Sequence, residues 1–557
     1  MDREETERTT VLQSPLRSDF FSMESPSLGA GHYRYSHHSA PPELNPRTQE
    51  RSLSKSHEFL SEPLVPRSRE ATQRGRGDSL AAGLSLRGKY SLLALASRGS
   101  AASGPVKPVQ DPSAGLSPIA VGINVVKCAV GAGSFSVPAA FLSGGFTTGI
   151  VSTLVLGVVG AFTSVLLTKA ELYVRLRRMR AGFQENEELT YPALAFHAFG
   201  GRVGSCMQGL CVFGVVVTSL GVCAAYVDFI GEALQQLDAL RSFSPKVLTM
   251  STFPVVLSLA LLRTFKYLTF TSILGDVAVV CGIVVTVGVG WSKCGIHTAE
   301  TLPKAPADWT AVPQSIATIA FLFLIHVVLL PIANSLRSPP VDSADLDHST
   351  VELAEMVGEA KVRSFTYVAV VSFIFITVLN VSFGAICVLL FGANTKSNVL
   401  QNLDNPVWAG NAVRLLLCVD LLFTVPMVLA AGRQLVEGQL VHGDFATKHE
   451  TLVRNGCRLA LVIAVYAIAL AVPDFGDMVS LVGGFANCLM GLILPPLCFI
   501  SAAPDGKIAR VACGALLCIA LFGSALLISS TAFTLQSIVS PASVGNATNS
   551  SMCPSVR

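Results

Sequence analysis

Charge is what this sequence has least of. Asp, Glu, Lys and Arg make up 14% of its 557 residues and 51% are hydrophobic, whereas an ordinary soluble protein carries about 25% charged residues. Such a chain cannot cover its surface with polar groups, which excludes the soluble globular class. The net charge of +3 is too small to argue for nucleic acid as a partner, and the basic groups read better as topology signals. No His/Cys/Asp/Glu set has metal-ligand spacing, and neither a nucleophile motif nor a pair of intramembrane aspartates is visible. No metal, cofactor or membrane-embedded enzyme is therefore expected. No apolar h-region follows Met1, so no cleaved secretory signal is expected and the first span directs insertion.

What is present is apolar length. Runs of about 18 residues or more can cross roughly 30 Å of hydrocarbon. Eleven occur, at about 117–142, 147–169, 204–233, 246–263, 268–290, 313–335, 364–391, 411–432, 457–473, 478–500 and 509–534. The fourth and ninth are short, and the ninth ends at Pro473-Asp474. The stretch 1–110 has the opposite composition, rich in Ser, Arg, Pro and Glu, and cannot bury enough surface to offset the entropy of folding. The expected division is a disordered cytoplasmic tail at 1–110, an eleven-span membrane domain at 111–535, and a short extracellular or lumenal tail at 536–557. The amino-terminal tail is open to a cytoplasmic partner.

Orientation follows from the basic residues. Lys169, Arg175, Arg177, Arg178 and Arg180 follow the second span, Arg263 and Lys266 end the fourth, and Arg433, Lys448, Arg454 and Arg458 follow the eighth. Positive residues favour the cytoplasmic side, which places the amino terminus inside and the carboxyl terminus outside or in a lumen. Glycosylation sequons at Asn546 and Asn549 agree with that assignment. A third, at Asn380, lies inside a span and is unreachable. Most of the 14 cysteines sit within apolar spans, where Cys behaves as a small hydrophobe. Cys294 and Cys553 fall outside, and theirs is the one disulfide pairing expected.

The stretch NVVKCAVGAGSFSVPAAF, from Asn124 to Phe141, interrupts the first apolar run. In hydrocarbon every backbone amide needs a partner, so an unwound segment survives only against protein or a water-filled cavity. Gly131 and Gly133 permit unwinding, and Pro138 lacks the amide that a regular ladder needs. The reading exposes the N–H groups of Ser134 and Phe135 at the positive end of a half-helix, a place for a carboxylate. Asn124, Lys127 and Gly131 share the face leading to the break. Two other readings stay open: glycines also serve close helix packing, and Lys127 can snorkel to the interface. The sixth run, SIATIAFLFLIHVVLLPIANSLRSPP, places His326 five residues before Pro331. Interrupted spans five spans apart are the pattern of two inverted repeats whose broken helices meet at the bilayer midplane.

Several segments together resemble the amino acid/auxin permease family. VGAGSFSVPAAFLSGGFTTG is similar to its first-span signature, GVCAAYVDFIGEAL to its third span, YLTFTSILGDVAVV to its fifth and LLPIANSLRSP to the end of its sixth. PDFGDMVSLVGGFANCLMGLILPPL resembles its tenth and is the most specific match, and the similarity runs from about residue 117 to 500. The resemblance implies an all-α integral membrane fold of eleven helices, leucine-transporter-like, with a 5+5 inverted repeat, broken helices 1 and 6 and an extra eleventh helix. It also implies secondary transport of amino acids, with the vacuolar and lysosomal branch the most similar. The host membrane is a vacuolar or lysosomal type of endomembrane, or the plasma membrane. Two departures stand out. The stretch from Phe321 to Pro331 contains no glycine, and Asn334 stands near a position where the family often has an acidic residue.

The substrate would then contact Asn124, Ala129, Val130, Gly131, Ala132, Gly133, Ser134 and Phe135 of the first span. From the sixth it would contact Phe321, Leu324, Ile325, His326 and Val327, whose mostly apolar walls favour a neutral amino acid. In this fold sodium is held by first-span carbonyls and eighth-span hydroxyls, here Thr424, with Asp420 one turn before it. Lys127 puts a fixed positive charge near that place. Lys127, His326, Asp420 and Thr424 are the ion-coupling candidates, with a proton favoured and sodium possible. Asp228 and Asp276 are weaker candidates, placed near span ends within reach of water. A non-transporting amino acid sensor that signals through the long amino-terminal tail is the alternative.

Overall fold

The computed structural model describes residues 115–183, 189–261, 268–294, 305–306, 308–323, 325–338, 349–403, 408–440, 449–472, 474–504, 506 and 509–539, with side chains from 275 onward in the segment beginning at 268. The expected tail at 1–110 lies outside these residues, as do Arg263, Lys266, Leu324, Lys448, Asn546, Asn549 and Cys553. Cys294 is disulfide-bonded.

The described chain is all helical. The helices are α1 (Pro118–Ala129), α2 (Val137–Ser143), α3 (Phe146–Arg180), α4 (Tyr191–Phe199), α5 (Gly201–Gln235), α6 (Pro245–Ser251), α7 (Phe253–Ala260) and α8 (Leu268–Cys294). They continue with α9 (Ala311–Phe321), α10 (His326–Asn334), α11 (Thr350–Phe391), α12 (Trp408–Leu440), α13 (Glu450–Ala471), α14 (Phe475–Val482), α15 (Leu494–Ala502) and α16 (Arg510–Val539). Gly483–Ile493, between α14 and α15, winds as a π-helix. Among the described residues, nine helical stretches are long and apolar enough to cross a membrane, one of them comprising α9 and α10. The pair Pro118–Ala129 and Ala132–Ser143 passes the same test as a span bent by 46°.

Two expectations change. The fourth apolar run is only a short apolar pair, Pro245–Ala260, divided at Thr252 because Pro254 suits a first helical turn better than an interior one. Most of the basic residues expected to follow the spans stand on the span helices themselves: Lys169 to Arg180 extend α3, Arg433 lies in α12, and Arg454 and Arg458 lie in α13. Arg, Leu and Glu are good helix formers, so these helices run on past the apolar boundary. The sequon at Asn380 is buried within α11, where its Nδ2 donates to the Ile376 carbonyl at 2.9 Å.

Local chemistry sets the helix ends. Ser349 and Glu352 form a capping box at the start of α11, which satisfies two of the amides that a helix start leaves open. Gly145, at φ 90°, turns the chain into α3 against the backbone of Ala305 and Pro306. Fully buried Arg414 holds the turn before α12, its Nη2 donating to the Leu400 and Leu403 carbonyls at 2.9 and 2.6 Å.

Two apolar clusters form the interior. One gathers Phe141, Phe323, Phe365 and Phe373 from α2, the α9–α10 junction and α11, with the Phe323 and Phe373 rings stacked at 5.9 Å. The other centres on Phe135, which meets Phe229 and Phe383 at 6.4 and 5.9 Å. The π segment lies between α9 and α16: a Cβ on Gly483 would stand 2.1 Å from the Ala317 carbonyl oxygen and 2.8 Å from the Phe321 nitrogen. Backbone atoms cannot swing aside as a side chain can. We therefore expect Gly483→Ala to cost about 1–3 kcal/mol by overpacking, read as a lower unfolding midpoint of the purified protein. Gly438→Ala, in an exposed helical turn where a Cβ meets open space, should not lower the midpoint and should raise it slightly by helix propensity.

Candidate functional site

The first interruption is a real change of backbone. α1 closes at Ala129, Val130 turns extended at φ −92°, ψ 100°, and Gly131 follows at φ −151°, ψ −156°. A 3-10 turn, Ala132–Ser136, then leads into α2. Its first internal hydrogen bond runs from Ser134 N–H to the Gly131 carbonyl at 3.0 Å, so the amide expected to stand open at Ser134 is occupied. The groups ahead of that bond, Ala132 N–H and Gly133 N–H, have no side-chain cap. Among the described residues they are open donors at this end. Pro138 does not break the helix; it sits in the first turn of α2, where its missing N–H costs nothing. The Oγ atoms of Ser134 and Ser136 are buried without a hydrogen-bond partner among the described residues.

The second interruption falls earlier than Pro331 suggests. α9 ends at Phe321 and α10 begins at His326, with buried Ile325 between them, while Pro331 lies inside α10. The two interruptions meet. A Cβ on Gly133 would stand 2.6 Å from Phe321 Cδ1, so any larger residue there would displace the Phe321 ring. Val130, Gly131, Phe321 and Val327 are half-buried around it, whereas Ala129, Ala132 and Ile325 are buried. Phe135 points away, into the second apolar cluster, and a Cβ on Gly282 would touch its ring at 2.6 Å.

Lys127 lies one turn before the first interruption and pairs with Asp276 of α8, Nζ to Oδ2 at 2.9 Å, with side chains 30% and 44% exposed. Asn124, one turn earlier, is half-buried. Asp420 of α12 reaches the same place: a Cβ on Gly275 would stand 1.9 Å from its Oδ1. Thr424 Oγ1 donates to the Asp420 backbone carbonyl at 2.9 Å and to its Oδ1 at 3.4 Å. One ammonium and two carboxylates thus converge from three helices. Asp276, rated weaker from sequence, belongs to this cluster. Asp228, expected to reach water near a span end, is instead 5% exposed in α5 with Oδ2 unpartnered among the described residues.

His326 is fully enclosed and faces elsewhere. Its Nε2 lies 2.9 Å from Thr163 Oγ1 and 3.3 Å from Ser164 Oγ on α3. Nδ1 has no partner among the described residues, nor has Asn487 Oδ1 in the π segment. Both border Gly491, where a Cβ would stand 2.9 and 2.5 Å from them. Thr163, Ser164, Ser136 and Asn487 were not singled out from sequence. The signal was present, since Asn487 is the one amide side chain of the tenth apolar run and Thr163-Ser164 a hydroxyl pair inside the second. Asn334 is bonded to an acid from another helix: Glu171 Oε1 accepts from Asn334 Nδ2 at 2.9 Å and from Arg175.

These features define a multi-pass helical membrane protein with a polar site at an interrupted span. The chain belongs to the family described as transmembrane amino acid transporter protein, whose profile matches residues 114–536. It is thus an amino acid transporter rather than an enzyme, and its substrate is a small molecule. It is 27% identical over 417 residues to sodium-coupled neutral amino acid transporter 7 of Mus musculus, covering 70% of this chain and 81% of that one. It is 23% identical to the proton-coupled amino acid transporter-like protein pathetic of Drosophila melanogaster, covering 67% and 74%. Among solved structures it is similar to Mhp1, a nucleobase-cation-symport-1 family transporter, in a closed conformation with bromovinylhydantoin bound, at TM-score 0.46 and 12% identity over 80% of this chain and 97% of that one.

An ion pair in a low-dielectric setting is costly to break from one side, because the remaining charge loses its partner. Lys127→Met and Asp276→Leu should each lower the unfolding midpoint, and the double variant should recover part of the loss. The coupling in a double-variant cycle should be at least about 0.5 kcal/mol.

Proposed function

We propose that this chain is a proton-coupled secondary transporter of neutral amino acids, built of eleven spans as two inverted five-span repeats and one added helix. The proposed orientation keeps the amino-terminal tail and the basic helix ends cytoplasmic and the sequons at Asn546 and Asn549 outside or in a lumen. The substrate carboxylate is held at the first interruption by Ala132 and Gly133 N–H, with Ser134 Oγ and Ser136 Oγ as the buried polar atoms it can satisfy. The positive end of the turn favours an anionic group there. Phe321, Ile325 and Val327 offer an apolar wall to a neutral side chain. A cationic side chain finds little there, because Asp276 is already paired with Lys127.

The observation that carries the coupling assignment is the Lys127–Asp276 pair beside Asp420. Two carboxylates share one ammonium, so the cluster has room for one more positive charge. A sodium ion would have to sit beside the ammonium and be repelled by it, whereas a proton neutralises a carboxylate without adding a second cation.

The test uses purified protein in liposomes, with uptake driven by a pH gradient measured beside exchange of labelled against unlabelled substrate. Lys127→Ala and Asp420→Asn should each abolish the pH-driven component, a loss of at least tenfold, while exchange persists. Intact pH-driven uptake in Lys127→Ala would remove the lysine from the coupling mechanism.

A further inference from the structure

A cleft of about 600 Å³ lies between α3 and α11, away from the interrupted spans, and its lining includes Lys169, Tyr173, Glu359, Arg363 and Tyr367. Most basic residues at this end of the bundle are engaged. Arg175 pairs with Glu171, Arg180 with Glu355, Lys361 donates to the Asn334 carbonyl, and Arg177 donates to the carbonyls of Ser501 and Ala502. Lys169 and Arg363 differ from these neighbours. Among the described residues neither has a carboxylate partner, and both line the cleft.

The surfaces leading from the cleft are apolar on both sides. On α3, Val151, Val158 and Phe162 are 51%, 72% and 45% exposed, and Phe162 stands two turns from Lys169 on the same face. On α11, Tyr367, Ile374 and Val378 are 72%, 58% and 58% exposed and follow Arg363 along one face. A charged pocket thus opens onto two hydrocarbon-facing stripes, which is the shape of a lipid rather than of a soluble anion.

We propose that this cleft binds the head group of an anionic phospholipid, its anionic groups facing Lys169 and Arg363 and its acyl chains along the α3 and α11 stripes. Two cations and one carboxylate complement the two anions and one ammonium of a phosphatidylserine head group, with Glu359 facing the ammonium. Basic pockets between helices at a cytoplasmic interface are suited to such lipids. The site stands on the cleft and its charges and does not depend on the coupling assignment.

Native mass spectrometry of the purified full chain, titrated with phosphatidylserine or phosphatidylcholine, tests it. The wild type should retain phosphatidylserine in preference. The Lys169→Gln/Arg363→Gln double variant should bind it about 30-fold more weakly, at roughly fivefold per cation. Arg510→Gln, which removes an exposed cation elsewhere, should change nothing. Glu359→Gln should strengthen binding of phosphatidylglycerol, which lacks the ammonium, and this single variant serves if the double variant fails to fold. Equal retention of the two lipids, or unchanged binding in the double variant, overturns the proposal. Displacement by soluble glycerophosphoserine at the lipid's own concentration also overturns it, in favour of a soluble anion.

Discussion

An amide in hydrocarbon must have a partner, and the architecture around the site follows from that constraint. A helix satisfies its own amides, so an interruption is tolerated only where protein or a ligand encloses it. The two interruptions here enclose each other. Gly133 lets Phe321 lie against the first turn, and Gly483 lets the π segment close on the Ala317 carbonyl behind the second. At Gly483 fixed backbone atoms already occupy the place of a side chain, and at Gly133 the Phe321 ring does.

The same constraint explains how arginines are used at the basic helix ends. The last carbonyls of a helix lack intrahelical partners, and here guanidinium groups supply them. Arg433 Nη1 donates to the Ala260 carbonyl, and Arg458 Nη1 to that of Leu261, while Arg454 and Arg458 also bind Glu437. Arg177 does the same for the end of α15. These contacts tie α7, α12 and α13 together at one end, and α3 to α15. Among the described residues, several polar atoms that remain unanswered lie deeper, at Ser134, Ser136, His326 and Asn487, beside the interruption or the π segment. Buried polar atoms without partners are costly, and a substrate or bound water that answers them relieves that cost.

Much of the fold was legible because apolar length is read directly from sequence. The second, third and fifth to eleventh runs coincide with the nine span-length helical stretches, and the first with the bent pair. The fourth run is helical over Pro245–Ala260 but divided at Thr252, a break that hydropathy does not register. At the site, Gly131 and Lys127 stood out because a glycine or a lysine in an apolar run is conspicuous. Their partners did not. Asp276 was read as a span-end carboxylate, and only the ion pair that bridges α8 and α1 reveals its pairing with Lys127. Likewise His326 was read as facing the first interruption, but its hydrogen bonds run to Thr163 and Ser164 on α3. Sequence spacing reports which residues share a helix face, and the neighbour across that face is decided by tertiary packing.

The central claim is that the Lys127, Asp276 and Asp420 cluster couples a proton, rather than sodium, to amino acid movement. The most direct measurement is uptake of a panel of labelled amino acids by the wild-type protein in liposomes under an imposed pH gradient, a sodium gradient, or neither. Accumulation of neutral amino acids that follows the pH gradient and ignores sodium is the result this account predicts. Accumulation that requires the sodium gradient would contradict it.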